Sequence, residues 1–197
     1  MDSQRKRYQA LRQAFMRWLE ELDFMLAAVD PDYYHTPAGK AINRINNNLK
    51  FHPGRPVYKD YFGAALDKAP GTGDFYIQIG LNESLLAGGL WRPAPKVLRS
   101  VRDAIDYNGE ELKKILSAKS FKQTFGGLYE DERLQTAPKG FPQDHPHIDL
   151  LRNKTFAVVH RLSKDAVLKD GFNKAHIVKV YLEMLPFRRF LNHAITV

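Results

Sequence analysis

The chain has no cysteine among its 197 residues. That excludes a disulfide framework, thiolate zinc sites, iron–sulfur clusters and a cysteine nucleophile. Long apolar runs are missing as well: none approaches the roughly 20 residues that cross a bilayer. The stretch from Met1 to Tyr8 is charged and lacks the apolar core of a signal peptide. A cytoplasmic protein with no membrane-embedded part is therefore expected. The motif inventory is equally sparse. There is no G-x-G-x-x-G, no P-loop, no G-x-S-x-G, no H-E-x-x-H and no EF-hand loop. RNA-recognition and zinc-finger patterns are absent too. Nothing calls for a cofactor or a metal. Acidic residues are in deficit, 22 against 30 lysines and arginines, which leaves a net charge of +8. Such a charge points toward nucleic acid or phosphate, although solubility alone also accounts for it.

A hydrophobic content of 44% with 26% charged residues is that of an ordinary globular protein. No repeat, low-complexity tract or linker interrupts it, so a single domain over residues 1–197 is expected. From Arg5 to Val29, Tyr8, Leu11, Phe15, Trp18, Leu22, Met25 and Val29 recur at three- and four-residue spacings, which predicts an amphipathic helix. Arg5, Arg12 and Arg17 lie off that stripe. Asp30-Pro31 ends it. Residues 32–61 are rich in turn formers. Alternation over Asp74–Leu81 and Ser84–Trp91 predicts an antiparallel hairpin, with Tyr61–Leu66 as a neighbouring strand. Pro95 opens a helix, and Asn108 with Glu111 reads as the cap of another. The region from Ser120 to Gly127 closes that part. A helical turn around Ile148–Arg152, a strand over Thr155–Leu162 and a brief helix after Ser163 follow. A long helix from about Phe172, interrupted at Pro186, completes the chain. Clustered rather than strictly alternating strands favour an α+β fold. Its sheet, antiparallel or mixed, packs against several helices, with long ones at both ends.

Two stretches carry candidate chemistry. Between Lys40 and Lys59 stand Lys40, Arg44, Lys50, Arg55 and Lys59, with His52 and no acidic residue. Asn46, Asn47 and Asn48 add neutral hydrogen-bonding groups, and Phe51 and Tyr58 add rings. Guanidinium and ammonium groups on such a segment can surround phosphate or carboxylate oxygens, while a solvated loop paired to acids elsewhere is the plain alternative. The second stretch, Ala137 to His147, sets Lys139, Asp144, His145 and His147 among prolines and glycine. Asp144 beside His145 is a candidate acid/base pair, against a rigid turn in which Asp144 bonds backbone amides. His145 and His147 lack a third ligand that would make a zinc site. Gly88-Gly89 marks a bulge or a close backbone approach, and Trp91 is a candidate pocket wall. His160 reads as a packed, hydrogen-bonded residue.

The run Arg44-Ile45-Asn46 through Phe51 to Tyr58-Lys59 and Phe62-Gly63-Ala64 resembles the opening motif of a widespread family of conserved hypothetical proteins with a domain-of-unknown-function label. Ala87-Gly88-Gly89-Leu90-Trp91-Arg92-Pro93, Ala137-Pro138-Lys139-Gly140-Phe141, Asp144-His145-Pro146 and Ile148-Asp149-Leu150-Leu151-Arg152 match further blocks. The likeness covers the chain from about residue 40 onward. Where the family typically has Arg-Asp this chain has Asn47-Asn48, and His52-Pro53-Gly54-Arg55 replaces a Ser-Lys-Asp-Lys run. The chain begins where the family's leucine-rich opening would finish, which allows a truncated start. The resemblance implies no activity.

Three readings follow. In the first, the chain is an anion-binding module for a phosphorylated ligand or nucleic acid. Arg44, Lys50, Arg55, Tyr58, Lys59, Trp91, Lys139, Arg152 and Lys154 bind, and the two basic stretches meet on one face. In the second, an enzyme acts on a small anionic substrate through Asp144 or His145. In the third, a scaffold pairs its cations internally with acids or carbonyls. The sequence leaves oligomeric state open.

Overall fold

The computed structural model describes residues 4–51, 53–169 and 173–196. Its elements in chain order are α1 (Arg5–Val29), α2 (Ala38–Ala41), β1 (Tyr61–Leu66), β2 (Asp74–Gly80), β3 (Ser84–Leu90), α3 (Pro95–Ser117), α4 (Lys119–Phe125), α5 (Ile148–Leu151), β4 (Phe156–Leu162), α6 (Lys164–Lys169) and α7 (Lys174–Ala194). The fold is α+β, and its sheet is antiparallel in the order β1-β2-β3-β4. In register, Tyr61 faces Gly80 and Leu66 faces Phe75.

The chain packs as two compact units. The first comprises residues 1–68, 75–86 and 161–178, and the second residues 69–74, 87–160 and 179–197. In the first, α1 buries Phe15, Leu19, Leu22 and Leu26, and β1 and β2 bury Leu66, Phe75 and Ile77. Each such side chain contributes about 1.5–3 kcal/mol through removal from water. In the second, Val101, Ile105 and Leu112 of α3 are buried, as are Met184, Phe187 and Leu191 of α7 and Phe156 and Val158 of β4.

The α1 stripe departs from the expectation. Leu11, Met25 and Val29 are exposed, while Leu19, Asp23 and Leu26 are buried. The predicted and observed stripes share Phe15 and Leu22, and a three-or-four spacing alone does not decide whether Trp18 or Leu19 lies inward. Leu81 and Trp91 fall just outside their strands and are exposed. Gly88 and Gly89 do mark a close approach. A side-chain carbon at Gly88 would meet the Met184 sulfur at 2.3 Å, and one at Gly89, where φ is +108°, would meet the Phe156 carbonyl at 2.3 Å.

Asn108 breaks α3 with φ −137° and ψ 38°, so the helix is two segments joined at a kink. Its side-chain amide donates to the Glu111 carboxylate. The expected cap therefore exists as a conformational break, with a side-chain contact in place of the reciprocal backbone bond. Residues 120–127, read as a closing region, contain most of α4. Helix α7 is continuous through Pro186 rather than interrupted there. The proline forfeits one helical hydrogen bond, and the buried stripe of Val180, Met184, Phe187 and Leu191 runs across it and holds the helix. Its expected start at Phe172 lies outside the described residues. No helix among the described residues is long and apolar enough to cross a membrane.

Candidate functional site

The turn-rich basic segment is tied down at its neck. Ile42 bridges Ala64 of β1, and the Asn43 amide donates to the Gly63 carbonyl at 2.7 Å. Further out, Asn46 bridges Tyr58, the Lys59 amide donates to the Ile45 carbonyl at 2.8 Å, and the Asn47 amide donates to Val57 at 3.0 Å. The Asn47 side chain adds a bond to the Pro56 carbonyl at 2.8 Å. These bonds bring Arg44 and Lys59 together although fifteen positions separate them. Beyond the neck the arm turns, leaving Phe51 and Val57 exposed and the Lys50 ammonium 5.9 Å from the Phe51 ring centre. His52 lies outside the described residues.

Against this neck run the first two turns of α1. Arg5, Tyr8, Gln9 and Arg12 share one helical face. With Asn43, Arg44, Asn46 and Tyr58 they line a groove of about 610 Å³. The Tyr8 ring stacks nearly parallel on Phe62 at 6.0 Å, which fixes the helix face against β1. None of the lining residues is acidic. Arg5 and Arg44 have no carboxylate partner among the described residues, and Arg12 donates only to the Met16 sulfur at 3.1 Å.

Tyr58 also lines a second groove of about 480 Å³ with Asn47, Arg55, Lys59 and Asp60. The Lys59 ammonium donates to the Arg44 carbonyl at 3.1 Å and lies 5.4 Å from the Tyr61 ring centre. Burial, and then the charges of Arg44 and Arg55, hold the Lys59 amine below the ordinary lysine value. The neighbouring Asp60 is engaged by Asn82 at 2.5 Å. Of the predicted ligands, the first unit thus gathers Arg44, Arg55, Tyr58 and Lys59 into one acid-poor surface. Lys50 stands on the arm.

The predicted ligands of the second unit have different surroundings. Lys154 pairs with Glu132 at 3.1 Å, and Arg152 donates to the Gln135 carbonyl at 2.8 Å. Lys139 contributes its carbonyl to Arg99, while its ammonium has no partner among the described residues. Trp91 is 55% exposed and meets Tyr129 edge-on at 4.9 Å. Next to it, Arg92 makes a two-pronged ion pair with Asp131 at 2.7 and 3.0 Å. Thr155 also donates to Asp131, at 2.7 Å. Arg92 first, and Thr155 after it, hold the Asp131 carboxyl well below the usual carboxylate range. Of the predicted ligands in this unit, Arg152 and Lys154 are thus engaged by a carbonyl and an acid, and Lys139 is not.

His145 is buried, and its carboxylate partner is Asp106 of α3, at 2.8 Å from Nε2. Its Nδ1 accepts the His147 amide at 3.0 Å. An accepting Nδ1 requires the proton on Nε2, so both nitrogens are engaged. The adjacent Asp144 is exposed. His147 packs its ring directly against Gly109. Burial, and then Lys113, draws its imidazole below the usual value. His160 bonds the Thr124 carbonyl at 2.9 Å, in line with a packed role.

The groove residues that sequence reasoning missed are Arg5, Tyr8, Gln9, Arg12 and Asn43. The available signal was the placement of Arg5 and Arg12 off the apolar stripe, which shows exposure but not the loop they face. Compared with known proteins, the chain matches a family described as conserved hypothetical protein (DUF2461) over residues 1–190. No curated protein and no solved structure matches it.

Proposed function

The chain belongs to the conserved hypothetical protein family DUF2461, and we propose that it is an anion-binding module whose seat is the arginine groove of the first unit. The observation that carries this reading is the lining itself: Arg5, Arg12 and Arg44 stand in one groove with Gln9, Asn43 and Tyr58 and no carboxylate. Neighbouring cations without counter-charges repel one another, and a bound anion removes that penalty. Guanidinium forks match phosphate oxygens two at a time, and the amides and the phenol supply neutral donors. Each charged hydrogen bond contributes about 1.5–3 kcal/mol. A phosphorylated small molecule fits this set.

A second reading, single-stranded nucleic acid, is favoured by one further observation. Phe51 is exposed on the arm beside Lys50, an arrangement on which a base can stack while its phosphates meet the cations. Calorimetric titration with inorganic pyrophosphate, and in parallel with a short oligonucleotide at several salt concentrations, tests both. Saturable pyrophosphate binding supports the small-ligand reading. Tighter oligonucleotide binding that weakens steeply with salt and is lost in Phe51→Ala supports the second. Absence of both at low salt refutes the module.

A further inference from the structure

We propose that His35 and Asp23 form a general-base pair, separate from the arginine groove, in which buried Asp23 orients the imidazole and solvent-facing Nε2 accepts a proton from water attacking a neutral ester with an apolar group. Asp23 is an acid on the buried face of α1, only 8% exposed. A carboxylate there requires donors. Its Oδ1 accepts the Tyr33 hydroxyl at 2.5 Å and the Thr36 amide at 3.2 Å, and its Oδ2 lies 2.7 Å from His35 Nδ1. Because an ionised carboxylate only accepts, Nδ1 carries the proton and the lone pair of the neutral ring resides on Nε2. Burial, and then Asp23, raises the Tyr33 phenol above its ordinary value, so Tyr33 remains a donor and does not compete for protons.

Exposure then separates the two roles. The Asp23 side chain is 11% exposed and that of His35 is 57% exposed, which places the orienting group inside and the base outside. Nε2 has no partner among the described residues. Phe24 and Tyr33 meet the imidazole edge-on at 5.9 and 5.7 Å. Phe24 is 69% exposed, so an apolar surface stands directly beside the base. His145 shows the contrast, with its opposite tautomer and both nitrogens occupied. A nucleophile or base held by a third group is the geometry that proton-transfer catalysis needs.

In the step, Nε2 takes a proton from water as the water oxygen bonds to the acyl carbon and the carbonyl π pair moves to oxygen. Collapse expels the leaving oxygen with the bond's electrons, and it recovers the proton from Nε2. An acid and an alcohol result, with no oxidant or cofactor. The probe is p-nitrophenyl acetate, followed by release of nitrophenol, with the full chain and His35→Gln, Asp23→Asn and His193→Gln. We expect His35→Gln to lower the protein-dependent rate at least about tenfold and His193→Gln, at an exposed position, to leave it unchanged. His35→Gln keeps a side-chain N–H donor for Asp23, and the fold of each variant is checked by circular dichroism. Asp23 is a positioning residue. Nitrogen-15 shifts of His35 should show the Nδ1–H tautomer in the parent, and Asp23→Asn should move them toward Nε2–H together with a lower rate. Equal rates for the parent and His35→Gln overturn the proposal, as does an Nε2–H tautomer in the parent. If Asp23→Asn does not fold, those two results still decide.

Discussion

Replacing Gly109 with alanine places a methyl group 2.4 Å from His147 Cδ2 and 2.5 Å from Cγ. Carbon atoms rest at about 3.5–4.0 Å, so the ring must retreat by roughly an ångström. It has little room to do so. His147 is 8% exposed, and its amide donates to His145 Nδ1 at 3.0 Å, while His145 is held in turn by Asp106 at 2.8 Å. Overpacking of this kind costs about 1–3 kcal/mol. Alanine recovers up to about 1 kcal/mol of helix propensity, and less here, because the preceding Asn108 is already non-helical. A net loss of about 1–2 kcal/mol is expected, read as a lower urea midpoint with an unchanged slope. The paired experiment isolates the cause. In a His147→Ala background the methyl group meets no ring, and Gly109→Ala should be neutral or stabilising. Equal or higher stability of Gly109→Ala in the parent background would refute the reasoning.

The lowered Lys59 value predicts a larger neutral fraction near pH 9 than an ordinary lysine has. Amine acylation at Lys59, followed by mass spectrometry, should slow in Arg55→Ala, because removing a neighbouring cation raises that value; a rate insensitive to Arg55 contradicts the electrostatic account. Asp131 supplies a pH test. Its folded-state pKa is depressed, so its stabilising contribution is complete above the unfolded carboxylate value of about 3.9 and is lost as pH falls toward the folded one. The melting-temperature gap between the parent and Asp131→Asn should be constant above about pH 5 and narrow below about pH 4; a gap independent of pH contradicts the ion pair. Arg188 is 1% exposed and donates to the Gly73 carbonyl at 2.7 Å. Arg188→Met leaves that acceptor short of a donor and should cost about 1–3 kcal/mol by denaturant titration, with no loss expected if the carbonyl is otherwise satisfied.

Much of the fold was legible because local pattern and burial agree. Phe75 and Ile77 alternate with Tyr76 and Gln78 in β2 as read, and Pro95 opens α3. Asn108 interrupts α3 at the position its capping pattern marks, since the pattern reports a local backbone preference. Helix α4 was not legible: Lys-Ser-Phe-Lys-Gln-Thr-Phe is short and polar, and only Phe121 is buried. The α1 stripe was half legible, because Asp23 belongs to the buried face through Tyr33, Thr36 and His35, partners that helical spacing does not reveal. The same reason hid the site. Arg44 was evident as a charge, but its union with Arg5 and Arg12 depends on Asn43 pairing with Gly63 and on Tyr8 stacking on Phe62. Charge is written in the sequence, whereas the absence of a neutralising acid is a property of the folded surroundings.

The most direct measurement is a pyrophosphate titration of Arg12→Glu beside Arg152→Ala, at low salt and with the fold of each checked. Arg12→Glu introduces a carboxylate into a groove that has none, and affinity should fall at least about tenfold, the equivalent of 1.4 kcal/mol. Arg152→Ala, which loses only a bond to the Gln135 carbonyl, should bind as the parent does. Unchanged affinity in Arg12→Glu would show that the groove is not where the anion sits.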